Sequence, residues 1–200
     1  MECVMSEYKD VPAFLFANES VIDFYPRFGF RQVQTHRPLL KQGDGFSAFG
    51  SLATAAKPNP KRAVKLNVDD QTLASAIKNR TEFSGILDCL NTSSIQMFHL
   101  LKDYIDDIYY LPALDVIVIA YQEENRLFIA DVIAKEPVRF DDIIIELPFR
   151  GVERIEFGFS PDWLGVSPFW EPVPMSDVMF FIKGDWKLPD VFRFPAMSET

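Results

Sequence analysis

The sequence predicts a mixed α/β (α+β) protein with two sheet-bearing units. Three observations predict it. Short apolar runs with strand character recur in both halves of the chain, and stretches with helical spacing lie between them. A Gly- and Pro-punctuated stretch, residues 41–65, then divides the chain into units at 1–40 and 66–200. The composition is that of a globular chain: 200 residues, 48% hydrophobic and 24% charged, with 19 Phe that make the core heavy in aromatic rings.

In the first unit, Val11 to Ala17 is an apolar run bounded by Asp10 and Asn18 and reads as a buried strand. Asn18 or Ser20 can cap a short helix whose inner face is Val21, Phe24 and Tyr25; Pro26 and Gly29 close it. Phe30 to Thr35 alternates as a strand. Residues 41–65 carry Gly43, Gly45, Gly50, Pro58 and Pro60, with Lys57, Lys61, Arg62 and Lys65 nearby, and read as a solvated loop or linker, with a small anion site at the basic cluster as the alternative.

In the second unit, Asp69 and Asp70 precede a helix with Leu73, Ala76 and Ile77, and further on Ile86 and Leu87, as its inner face. A second helix starts near Ser93, with Ile95, Phe98, Leu101, Ile105 and Ile108 at helical spacing and His99 beside the stripe. Asp115–Tyr121 and Leu127–Ala134 form a hairpin across the Glu123–Arg126 turn. Phe140–Leu147 fits a helix started by Asp141 and Asp142, although three consecutive isoleucines also suit a strand. Glu153–Phe159 and Val178–Lys183 read as strands.

The stretch Asn18–Phe30, N-E-S-V-I-D-F-Y-P-R-F-G-F, is the most informative. It resembles the N-x-x-A-x-x-F-Y-x-[KR]-x-G-F motif of the GCN5-related N-acetyltransferases, the GNAT superfamily. Asn18, Phe24, Tyr25, Arg27, Gly29 and Phe30 match; Val21 stands where a small residue is usual. The run Ala13–Ala17 falls where that family places its fifth strand. The resemblance implies acetyl-CoA as cosubstrate, Tyr25 as the general acid that protonates the thiolate leaving group, and Asn18 as a cofactor contact. The residue chemistry allows both roles, through the phenol proton and the amide's donor and acceptor.

That family seats the pyrophosphate on a glycine-rich turn at a helix N-terminus, where backbone N–H groups approach the phosphates closely. The turn would precede the fifth strand, and only about ten residues precede Val11. The chain therefore looks like the C-terminal part of a longer, tandem-type member. Residues 66–200 repeat the family's order of elements and read as a second, degenerate GNAT-like domain with a mixed sheet and flanking helices. Its turn Lys135–Asp142 has no glycine, carries Glu136, Asp141 and Asp142, and loses one donor at Pro137. Two readings follow: an enzyme that moves an acetyl group from acetyl-CoA to an amine, or a noncatalytic ligand- or partner-binding module descended from one.

The remaining features bound the partners. A net charge of −9 argues against nucleic acid and anionic membrane surfaces. Cys3 and Cys89, with His36 and His99, have no metal-ligand spacing, so no metal is expected. The N-terminus lacks the pattern of a signal peptide and no apolar run is long enough to span a bilayer, which predicts a cytoplasmic protein. An exposed edge of the partial first sheet would favour a homodimer. Acid pairs at Asp106–Asp107, Asp141–Asp142 and around Glu153 read as solvated faces, and Trp163, Trp170 and Trp186 as packing or an aromatic pocket wall.

Overall fold

A computed structural model describes residues 11–43 and 63–199. Most of the predicted linker lies outside the described residues. Among the described residues ten strands form two sheets, in the expected mixed α/β class. The first sheet has the order β1 (Ala13–Phe16), β10 (Phe180–Lys183), β2 (Arg31–Gln32), all antiparallel, with β1 and β2 at its edges. The second has seven strands: β4 (Val64–Lys65), β5 (Ile108–Leu111), β6 (Val116–Glu123), β7 (Arg126–Ile133), β8 (Arg154–Phe157), β3 (His36–Lys41) and β9 (Phe169–Pro172). Among the described strand pairs β7 and β8 alone run parallel, with helix α3 (Phe140–Glu146) carrying the chain back between them.

The two sheets exchange strands. β10, from the end of the chain, is the central strand of the first sheet, and its side chains alternate between two cores. Phe180 and Ile182 join Phe16, Phe192 and Phe194, whereas Phe181 joins Phe30, Leu15 and Tyr25. β3, which the sequence reading counts with the first unit, lies between β8 and β9 of the second sheet. Leu39 and Leu40 are buried there.

The second sheet is covered on both faces. Val116, Val118 and Ala120 face α3, while Ile117 and Ile119 face α1 (Gln71–Lys78) and α2 (Ser93–Lys102). Both helices are shorter than the apolar spacing predicts. α1 is capped by the Asp70 carboxylate, which accepts from the Thr72 N–H at 2.7 Å, and it ends at Lys78. Ile86 and Leu87 instead pack under the first sheet. α2 buries Gln96 and Leu100 and leaves Phe98 and Leu101 in solvent. Ile108 belongs to β5, paired with Ile119 and fully buried, in a strand flanked by β4 and β6. The three isoleucines of 140–147 are helical. No helix among the described residues is long and apolar enough to cross a membrane.

Candidate functional site

β1 leads directly into the segment that carries the motif. Asn18 sits at its end, exposed, with extended backbone, and its Oδ1 accepts from the Ser20 N–H at 3.1 Å. The expected short helix is two 3-10 turns, Glu19–Val21 and Tyr25–Phe28. Pro26 at the start of the second turn and Gly29, left-handed at φ 80°, hold the stretch to such short turns. Tyr25 is half-buried and gripped by three rings, with centroids at 5.4 Å to Phe24, 5.9 Å to Phe30 and 5.9 Å to Phe181. Its hydroxyl has no hydrogen-bond partner among the described residues. Asn18 and Tyr25 are thus at the two ends of one turn-rich segment, and no contact joins their side chains.

The Lys135–Asp142 turn of the second sheet is no anion cradle. The Lys135 ammonium is 2.8 Å from the Asp115 carboxylate. Glu136 and Pro137 face a cavity, and Asp141 and Asp142 open the first turn of α3. The strands that flank this turn separate: β7 and β8 pair only up to Ile129 and Phe157, with a last bond from Gly158 N–H to Ile129 C=O at 2.8 Å. The opening is filled by the chain itself. The Ala196 N–H donates to Gly158 C=O at 2.7 Å, and Met197 is buried among Leu73, Leu100, Phe128 and Ile133. The His99 ring binds the Glu199 carbonyl at 2.7 Å and the Asp103 carboxylate at 3.0 Å. His99 is therefore a structural clasp.

A buried charge cluster lies beside this opening. A bulge shifts the β6–β7 register between Ile119 and Ala120, so Asp131 stands opposite Ile119 and faces the helices. There it pairs with Arg80, which also reaches Asp88 at 3.4 Å; all three side chains are at most 8% exposed. Burial pulls the Arg80 pKa down, and the two carboxylates more than reverse that pull. Asp88 also accepts from the Phe83 N–H at 2.7 Å, so the cluster pins the 79–90 loop to the sheet. The sequence reading passed over Arg80 and Asp131; a lone acid inside the apolar run Leu127–Ala134 was the available signal.

The same loop walls a cavity of about 700 Å³ with Phe83, Leu90, Pro137 and Trp163. Of the three tryptophans, Trp163 lines it; Trp186 packs on Phe14 at 5.4 Å, and Trp170 pairs with Pro38 in β9. The other acid pairs are occupied or solvated: Glu156 meets Arg126 at 3.1 Å and Glu153 meets Asn125 at 2.6 Å. No group of residues that could hold a metal is present among the described residues. Cys89 is half-buried, and burial beside Asp88 pushes its thiol up to about 11.

No protein-family model and no curated protein matches this sequence. Solved structures do match. Eis1 from Mycobacterium abscessus is 14% identical, over 90% of this chain and 49% of that chain, at a TM-score of 0.43. A GCN5-related N-acetyltransferase from Kribbella flavida is 13% identical, over 91% and 46%, at 0.47. A conserved Enterococcus faecalis V583 protein, described as a probable N-acyltransferase, is 11% identical, over 90% and 47%, at 0.49. The chain spans about half the length of these three proteins, and over about nine-tenths of its own residues it is similar to them.

Proposed function

We propose that the segment Asn18–Phe30 carries an acetyl-transfer site, with acetyl-CoA as donor and an amine as acceptor. The observation that carries this reading is Tyr25: a phenol held by three rings, with its hydroxyl free, seven residues after an exposed Asn at the end of an edge strand. A neutral amine attacks the thioester carbonyl carbon, the C–S bond breaks, and the Tyr25 hydroxyl protonates the departing thiolate. The proton lost from the amine nitrogen restores the phenol through solvent. The Asn18 amide N–H₂, left free by the cap, donates to an amide carbonyl of the pantetheine arm.

The second sheet does not fit acetyl-CoA. Its turn offers acids and a proline where phosphates need N–H groups, and its strand opening is closed by Ala196 and Met197. In this reading the scaffold of the site is the first sheet itself, whose central strand β10 supplies Phe181 behind the Tyr25 ring.

Melting with and without acetyl-CoA tests the donor site. At a hundredfold excess over Kd, binding adds about 2.7 kcal/mol. At about 2–4 °C per kcal/mol for a chain of this size, that is about 5–11 °C. Thiol release from acetyl-CoA with a panel of primary amines tests turnover. Tyr25→Phe should lower kcat about a hundredfold or more and leave the melting temperature unchanged, since the hydroxyl holds nothing. Full activity in Tyr25→Phe, or no melting rise at millimolar acetyl-CoA, would refute the proposal.

A further inference from the structure

We propose that the cavity walled by the 80–90 loop, the turn after β7 and Trp163 binds a small organic cation: an amine on an apolar, ring-sized body. The cavity, about 700 Å³, is of the size that takes a small ligand. Its apolar lining includes Phe83, which is buried, and Leu90 and Trp163, which are about half exposed.

The charges choose the ligand's sign. Both cations at the cavity are committed: Arg80 to Asp131 and Asp88, and Lys135 to Asp115 at 2.8 Å. Two carboxylates, Glu82 and Glu136, line the same cavity and are exposed, and neither has a partner among the described residues. The uncountered charge is therefore negative, and it stands with an indole whose face attracts cations. An anion would meet two free carboxylates and no free cation.

The wall is built rather than incidental. Asp162, next to Trp163, accepts from Ser84 Oγ at 2.6 Å and from the Gly85 N–H at 2.8 Å. A side chain at Gly85 would stand 3.1 Å from the Trp163 indole nitrogen, so glycine lets the ring lie against the loop. Ser84 Oγ accepts from the N–H groups of Ile86 and Leu87, and the Arg80 cluster ties the loop to β7. A pocket fixed this way spends little binding energy on ordering its walls. None of its lining residues belongs to the Asn18–Phe30 segment, so the inference stands apart from acetyl transfer.

The test is titration of the full chain with 1-naphthylmethylamine and, separately, with 1-naphthylacetate, which present the same rings with opposite charge. The readout is the Trp163 indole N–H resonance, assigned by its loss in Trp163→Phe. The amine should shift it saturably and bind at least tenfold tighter than the acetate. The double variant Glu82→Gln, Glu136→Gln should bring the two probes to within about twofold. Both side chains are exposed and unpaired, and an unchanged urea midpoint verifies the fold. Equal affinity of the two probes for the unaltered chain, a Trp163 resonance that responds to neither, or an amine preference that survives the double variant would overturn the proposal.

Discussion

The closed opening between β7 and β8 makes Gly158 sensitive to an added side chain. A methyl group there would lie 3.0 Å from Ala130 O, 3.0 Å from Ala196 Cβ and 3.0 Å from Phe128 Cζ. Comfortable carbon contacts are about 3.5–4.0 Å, so one side must retreat. Ala130 lies inside β7 at 1% exposed, and the Phe128 ring is buried. The movable side is the segment at Ala196. Overpacking of this kind costs about 1–3 kcal/mol. Met197, 2% exposed, leaves its core with that segment, and truncating it to alanine costs about 2–5 kcal/mol by itself. Urea unfolding of Gly158→Ala, Met197→Ala and the double variant separates the terms. If both act by releasing one segment, the double variant falls short of the sum by at least about 1 kcal/mol. The Ala196 amide, bonded to Gly158 C=O, should exchange its hydrogen faster in Gly158→Ala. Strict additivity, or a Gly158→Ala cost below about 0.5 kcal/mol, would refute the idea that the segment plugs the opening.

Two further outcomes follow from the buried groups beside it. Arg80→Met strands Asp131 and Asp88 in the interior and should cost about 3–5 kcal/mol at pH 7 by urea unfolding. Burial raises the Asp131 pKa against the pull of Arg80, so the folded chain holds that proton more tightly than the unfolded one. Removing Arg80 raises it further, and stability then falls as pH rises through the folded value; the variant should recover part of its loss at pH 5, and a loss equal at pH 5 and pH 7 would contradict this. Cys89, with its thiol pushed up to about 11, should resist iodoacetamide at pH 7.5 in a Cys3→Ser background and react readily in urea, followed by mass spectrometry.

What the sequence made legible is what neighbouring residues decide. The hairpin β6–β7, the strand β1 and the turn at Gly29 each carry local signals: alternation, an apolar run bounded by polar residues, a left-handed glycine. The placing of β10 carries none. Val178–Lys183 reads as a strand, but the choice of β1 and β2 as partners is a pairing over more than 140 residues of sequence. The same holds for α2: Ile108 fits a helical stripe by spacing, and the vacancy opposite Ile119 claims it for β5.

The candidate sites divide along the same line. Asn18 and Tyr25 were found because one short motif contains both. The cavity was not, because its walls come from three separate stretches, and Ile86 and Leu87, next to the Ser84-Gly85 turn, read as the inner face of a helix. Yet its electrostatic sign was already present in the turn Lys135–Asp142. The acids that deny this turn a phosphate leave Glu136 uncountered at the cavity, since Lys135 is drawn off to Asp115. A turn without the capacity for anions is not thereby neutral. Its remaining charge is negative, and beside an indole that makes it selective for the opposite sign.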